Sequence, residues 1–154
     1  MKFNIIIPIR SKSKGIKNKN IVNFQKNLNL TNFTLKKLIG IKQIKKIYVL
    51  TDSNLYKKKI IHHNKIDKKY IRKNKHSLSN SKIQDLVKDF LKENSIIDNL
   101  ALIQVTSPLL SRKEIVKTFN DTRYYFGQVD HKFQISAECV RARRGTFRGI
   151  SDAV

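Results

Sequence analysis

The chain is short of acidic residues and of cysteine. Its 154 residues include 11 Asp and Glu against 33 Lys and Arg, for a formal net charge of +22. The single cysteine, Cys139, excludes an internal disulfide and fits a reducing, cytoplasmic setting. No apolar run approaches the roughly 18–20 residues that a membrane-spanning helix needs. The opening "MKFNIIIPIR" has one lysine, a short apolar run and no A-x-A-like cleavage site, so it reads as a first strand rather than a secretory leader. Two phosphate-binding fingerprints are missing as well, since neither G-x-x-x-x-G-K-S/T nor G-x-G-x-x-G occurs.

What is present is enough for one domain around one core, with an apolar fraction of 40%. At face value the positive charge points to nucleic acid or an anionic membrane. The lysines, however, are spread along the chain, as in "LKKLIGIKQIKK" and "YKKKIIHHNKIDKK", with no single stripe interleaved with aromatics. Lys, Asn and Ile dominate the first 120 residues while Ala and Gly are scarce there, which is what a very AT-rich coding sequence yields. Nucleic-acid binding therefore ranks below a small anionic ligand.

Residues 3–9 are nearly all apolar and β-branched, which predicts a strand buried on both faces, with Pro8 marking where ladder pairing stops. A loop around Gly15 follows over 10–20. Thr34 is the expected N-cap of a helix through "LKKLIGIKQI", and "KIYVLTD" (46–52) is a second strand. Ser53 caps a helix through "SNLYKKKIIHH", and 67–72 is a short third strand. "SKIQDLVKDFLKEN" is the clearest amphipathic helix, "NLALIQV" (99–105) a further strand, and "RKEIVKTFND" opens a last helix. This alternation predicts an α/β layered fold with a mainly parallel sheet and flanking helices. Ligands of such sheets bind beyond the carboxyl ends of the strands. Three polar sets fall there: Arg10 to Asn20, Thr51-Asp52, and Gln104 to Pro108.

The first set, Arg10-x-x-Ser13-Lys14-Gly15-x-x-x-Lys19-Asn20, suits a triphosphate. Gly15 lets backbone N–H groups approach phosphate oxygens, and an arginine can grip two of those oxygens at once. Lys14 and Lys19 alone would read as solvated lysines; Arg10 and Gly15 beside them carry the argument. Asp52 serves equally as a turn former or helix cap. His62 and His63 are adjacent, so they do not share a helix face as ligands, and His76 has no ligand-spaced companion.

"IIIPIRSKSKGIKNKN" resembles the first motif of the acylneuraminate cytidylyltransferases, the CMP-sialic acid synthetases. "IYVLTD" resembles that family's strand ending in Ser-Thr-Asp, Arg72 stands where an arginine follows its third strand, and "LIQVTSPLL" is similar to its Gln-Pro-Thr-Ser-Pro-Leu-Arg segment. The resemblance covers residues 3–120 and implies a Rossmann-like nucleotide-diphospho-sugar transferase fold. It further implies transfer of CMP from CTP to a nonulosonic sugar acid, with Mg²⁺ as cofactor and release of pyrophosphate. Carried over by position, Arg10 and Lys19 would be the catalytic cations, and Ser13, Lys14, Gly15 and Asn20 would help hold the triphosphate. Arg72 and Ser81 would sit by the cytidine, Gln104, Thr106 and Ser107 would line the junction with the sugar, and Asp52 would order the loops.

The match has departures. Lys17 stands where the family commonly has Pro, Leu50 where it has Ser, and Leu110 where an arginine follows Thr-Ser-Pro-Leu. "KNKHSLSNS" after Arg72 lacks a familiar aspartate. Full members are longer, and nothing after residue 120 resembles their metal-binding carboxylates or their dimerisation arm, so the metal ligands stay unknown. After Asn120 the composition also changes: asparagine stops, Lys132 is the only lysine, and five of the eight arginines follow. The chain thus reads as a cytidylyltransferase-like domain over 1–120 and a divergent basic tail over 121–154, of frameshift or fused-fragment origin. The competing readings are a basic nucleic-acid-binding protein and a non-catalytic nucleotide-binding remnant. No membrane partner is expected.

Overall fold

Seven residues, Phe3–Ile9, form the central strand β1, pairing in parallel with β4 (Ile44–Thr51) on one edge and β6 (Asn99–Leu102) on the other. The computed structural model describes residues 2–11, 16, 18–25, 28–78, 81–94, 99–106, 109–120, 128–129 and 133–136. Side chains alternate across a strand, so a run buried on both faces must be apolar at every position. Phe3, Ile5, Ile7 and Ile9 pack against helices α1 (Leu30–Ile39) and α4 (Arg112–Asn120), through Leu35, Leu38, Ile115 and Phe119. Ile6 points the other way, onto Leu86, Val87, Phe90 and Leu91 of α3 (Ile83–Asn94). The result is a sheet covered on both faces, as the alternation predicts.

The short strands β2 (Asn23–Gln25) and β3 (Leu28–Asn29) form a separate antiparallel pair that the apolar pattern does not reveal. After β4 come α2 (Asn54–Lys59) and β5 (Ile66–Asp67). No element is predicted beyond Asn120, yet β7 (Gln128–Val129) and β8 (Phe133–Ser136) lie there. The strand order is β5-β4-β1-β6-β8-β7, parallel except for the β7–β8 pair. The rest of 121–154, Cys139 included, lies outside the described residues. No helix among the described residues is long and apolar enough to cross a membrane.

Several sequence expectations move. The N-cap of α1 is Asn29, whose side chain accepts from the Asn32 N–H at 2.8 Å. Thr34 lies inside that helix and donates back to the Leu30 carbonyl. Helix α2 stops at Lys59 rather than running to the histidines, and 67–72 contributes only β5 and a single bridge, Thr51 to Ile71. Pro8 does not end pairing with β4, since Pro8 and Ile9 stay in register with Leu50 and Thr51. Its missing N–H lies on the side of Ile6, whose carbonyl accepts from Ile103 N, and there pairing with β6 has already ended at Leu102.

With carboxylates scarce, basic side chains serve the carbonyls that helix ends leave unpaired. Lys65 Nζ donates to the Ile39 and Ile41 carbonyls behind α1, and Lys68 Nζ to the Lys57 and Ile60 carbonyls behind α2. Burial pulls the Lys68 amine below its ordinary pKa. Arg112 donates through Nε to the Lys37 carbonyl at 3.1 Å and lies across Gly40, where a Cβ would come 2.8 Å from its Cζ.

Gly40 has φ −79°, a conformation alanine adopts freely, so Gly40→Ala is expected to respond to Arg112. In an Arg112→Ala background it should stabilise by about 0.4–1 kcal/mol through the unfolded chain. With Arg112 present that gain should vanish or reverse, because the guanidinium must leave its carbonyl. Urea unfolding of the four-member mutant cycle checks the sign change; additive effects would refute the coupling.

Candidate functional site

The chain leaves β1 toward β4 and β5 on one side, and β6 adjoins β1 on the other, so the connection order reverses at the carboxyl end of β1. A crevice opens at such a switch point because neighbouring connections diverge to opposite faces. The cleft found there has a volume of about 550 Å³. Pro8 and Arg10 come from the end of β1, and Lys19 and Asn20 from the turn that follows. Arg72, Ser81 and Ile83 form a second wall, and Gln104, Val105 and Thr106, just past β6, a third.

Seven residues singled out from the sequence thus meet in one cavity: Arg10, Lys19, Asn20, Arg72, Ser81, Gln104 and Thr106. Asp52 does not line it. Its carboxylate accepts from Ser11 N at 2.8 Å and Ser11 Oγ at 3.0 Å, fastening the end of β4 to the residue after Arg10. Ser13, Lys14, Gly15 and Ser107 lie outside the described residues.

Each wall is held by short-range bonds. Asn20 donates through Nδ2 to the Arg10 carbonyl at 3.2 Å, and its own carbonyl accepts from Thr31 N and Thr31 Oγ1. Its Oδ1 is buried without a hydrogen-bond partner. Arg72 continues the bridge beside β4, donating its N–H to the Thr51 carbonyl at 2.8 Å. Its side chain is only 7% exposed, and Nε has no hydrogen-bond partner. Burial pulls the guanidinium below its ordinary pKa; nearby Asp52 and Tyr70 oppose that, and Arg10 adds to it. A buried guanidinium nitrogen and a buried amide oxygen left unpaired are costly unless a ligand completes them. Both belong to residues that line the cleft, beside the two further cations Arg10 and Lys19.

Ser81 hangs from the turn before α3, its hydroxyl within 2.8 Å of the His76 carbonyl and 2.7 Å of the Leu78 carbonyl. His76, set aside in the sequence reading, lies in a single 3-10 turn (Asn74–His76) and is 3% exposed. Its Nε2 is 2.8 Å from Asp89 Oδ2 on α3, and the same oxygen is 2.8 Å from Lys75 Nζ. Lys73 reaches Asp89 and also Glu93, the latter at 2.7 Å. No sequence spacing announces this network, because its members sit on a turn and a helix joined only in space. The Lys75 and His76 contacts hold the Asp89 carboxyl well below the usual carboxylate range. His62 and His63 are exposed, as expected.

A family model described as Cytidylyltransferase matches residues 4–144. N-acylneuraminate cytidylyltransferases of Streptococcus agalactiae serotypes III and Ia are each 31% identical over 154 residues, 99% of this chain and 36% of theirs. The chain therefore spans about a third of the length of these relatives. Among solved structures, a CMP:2-keto-3-deoxy-manno-octonic acid synthetase complexed with CTP superposes with a TM-score of 0.64 at 14% identity, over 80% of this chain and 48% of that one. A cytidylyltransferase from Leptospira borgpetersenii serovar Hardjo-bovis gives a TM-score of 0.59 at 22% identity, over 82% and 52% of the two chains. These likenesses share the layered parallel fold.

The Asp89 network makes a pH prediction. A carboxyl whose folded pKa is depressed stabilises fully above its unfolded value, about 3.9, and loses that contribution as the pH falls through the folded value. Asp89→Asn should melt a few degrees below the parent at pH 7. The gap should begin to narrow below about pH 4, where the unfolded carboxyl takes up its proton, and keep narrowing toward pH 2 as the folded carboxylate, held lower, nears its own protonation. Calorimetric melting of both proteins across pH 2–7 reads this directly; a gap independent of pH would remove the carboxylate from the account.

Proposed function

The chain belongs to the cytidylyltransferase family, and we propose that it binds CTP in the switch-point cleft and transfers CMP to an acylneuraminate-type sugar acid. The observation that carries this reading is the meeting of Arg10, Lys19 and Arg72 in one cavity beside the unpartnered polar atoms of Asn20 and Arg72. Among the described residues, three cations and no carboxylate line the cavity, which suits a polyanion of nucleotide size.

In the proposed reaction the sugar's anomeric hydroxyl attacks the α-phosphorus of CTP. A new P–O bond forms to the sugar, the bond to the β-phosphate oxygen breaks, pyrophosphate leaves, and the hydroxyl proton passes to solvent. Arg10 and Lys19 stabilise charge on the phosphates, with Ser13, Lys14 and Gly15 assigned to the same task. Arg72 and Ser81 hold the nucleoside, and Gln104, Thr106 and Ser107 orient the sugar. Such a site acts chiefly by positioning and by preorganised charge. Mg²⁺, when bound with the nucleotide, would supply neutralisation of phosphate charge. The cleft lining offers no carboxylate, and among the described residues no cluster of three His, Cys, Asp or Glu side chains could hold a metal, so these residues do not make a magnesium site of their own. A cytoplasmic setting, where CTP is available, belongs to the same proposal.

The test is calorimetric titration with CTP and Mg²⁺, beside ATP and a short single-stranded DNA, at low and moderate salt. Selective CTP binding that persists at moderate salt is expected, followed by pyrophosphate release once a nonulosonic acid is added. Binding without release would leave a nucleotide-binding remnant. Equal, steeply salt-dependent binding of all three would favour a nucleic-acid-binding protein. Lys19→Ala should weaken CTP by roughly 10- to 100-fold, the range expected for one charge-assisted hydrogen bond. An unchanged affinity would remove Lys19 from the site.

A further inference from the structure

We propose that Tyr56 is a positioning residue for the cationic cleft: its hydroxyl fixes the spacing of Arg10 and Lys19 by holding their neighbours Ser11 and Asn18. The inference rests on the cytidylyltransferase reading, because it assigns Tyr56 an effect on triphosphate binding. Tyr56 lies on α2, outside the cleft lining, and is 1% exposed. Its ring packs in the core cluster that contains Ile7 and Ile9, a task phenylalanine would perform equally. The hydroxyl is what needs explaining, since a buried O–H requires a partner.

That hydroxyl lies 3.3 Å from the Ser11 carbonyl oxygen and 3.2 Å from Asn18 Oδ1, a shared arrangement in which one proton faces two acceptors. Ser11 follows Arg10 and Asn18 precedes Lys19, so a single atom of α2 bridges the chain beside both cations. The surrounding geometry is fixed independently. Ser53 caps α2 by accepting from Tyr56 N, and Asp52, one residue earlier, holds Ser11 through two hydrogen bonds. Asn18 has φ 56°, the left-handed region that asparagine tolerates better than most residues, and its carbonyl accepts from Ile21 and Val22.

The arrangement has a physical purpose. Two like charges held side by side repel, and an untied turn would relax to separate them. The Asn20 to Arg10 hydrogen bond ties them on the cleft side, and Tyr56 ties them on the helix side. Burial, with Asp52 nearby, raises the Tyr56 hydroxyl above its ordinary pKa, so it remains a donor at neutral pH.

The test compares the parent chain with Tyr56→Phe, Asn18→Gly and the double variant, each titrated with CTP and with CMP. Glycine keeps the left-handed backbone at 18 while deleting the acceptor, so it covers a Tyr56→Phe that folds poorly. Each single variant is expected to weaken CTP about three- to tenfold, with CMP changed less than about twofold. The double variant should be no worse than either single one, because both remove the same tie. Parent-like CTP affinity in Tyr56→Phe overturns the proposal, as does equal loss for CTP and CMP, which would mark a general structural defect. If the parent itself bound no CTP, the functional reading would fall first and this inference with it.

Discussion

Strand β1 pairs along both edges and packs on both faces, so it has almost no freedom to slide or tilt. A shift of one residue would turn Ile5, Ile7 and Ile9 from the layer of α1 and α4 to that of α3, exchanging two core clusters of different composition. Everything at the cleft inherits this constraint. Arg10 is placed by being the first residue past Ile9, Gln104 to Thr106 follow β6, which is in register with β1, and Arg72 follows the bridge to β4. Three separate segments converge because the strands before them are locked side by side.

The charge imbalance shapes the rest. With 33 basic and 11 acidic side chains, most cations have no carboxylate to meet. Several find carbonyls instead, and those carbonyls are ones that helix geometry leaves unpaired. Lys65, Lys68 and Arg112 act this way at the ends of α1 and α2. Such contacts are partly exposed and each is worth little alone, but they turn a repulsive surplus into helix capping. The lysine-rich composition is therefore less disruptive to the fold than its net charge suggests.

Strands β1, β4 and β6 were legible for one reason: apolar runs bounded by polar residues state both where a strand is and where it ends. Arg10 and Gln104 could be placed together from strand ends alone, whereas Arg72 follows only from the order of the family motifs. The caps were not legible in the same way. Thr34 and Asn29 are both acceptable N-caps, and only the β2–β3 pair, which a run as short as Leu28–Asn29 does not advertise, fixes the choice on Asn29. His76 and Tyr56 escaped for a related reason. A buried histidine on a turn and a tyrosine on a helix look like an ordinary surface residue and an ordinary core residue until their hydrogen-bond partners, 13 and 38–45 positions away, are known.

Those partners also explain why the cleft stays positive. Asp52 and Asp89 are both already engaged. Asp52 holds a neutral N–H and hydroxyl, and Asp89 holds His76 and Lys75 on the far side of the turn. Neither forms an ion pair with Arg10, Lys19 or Arg72 among the described residues. The three cations are instead located through the backbone, by Asn20 and Tyr56 beside the first two and by the Thr51 carbonyl at Arg72. Positioning through neutral groups leaves these side chains without a salt bridge among the described residues, and the nearby Asp52 charge acts on Arg72 without pairing with it. A site fixed by carboxylates would hold its cations as firmly but would have to surrender those pairs to the ligand. Neutral scaffolding thus fixes the cations without engaging them, which is what the proposed triphosphate site requires of a chain with few carboxylates to use.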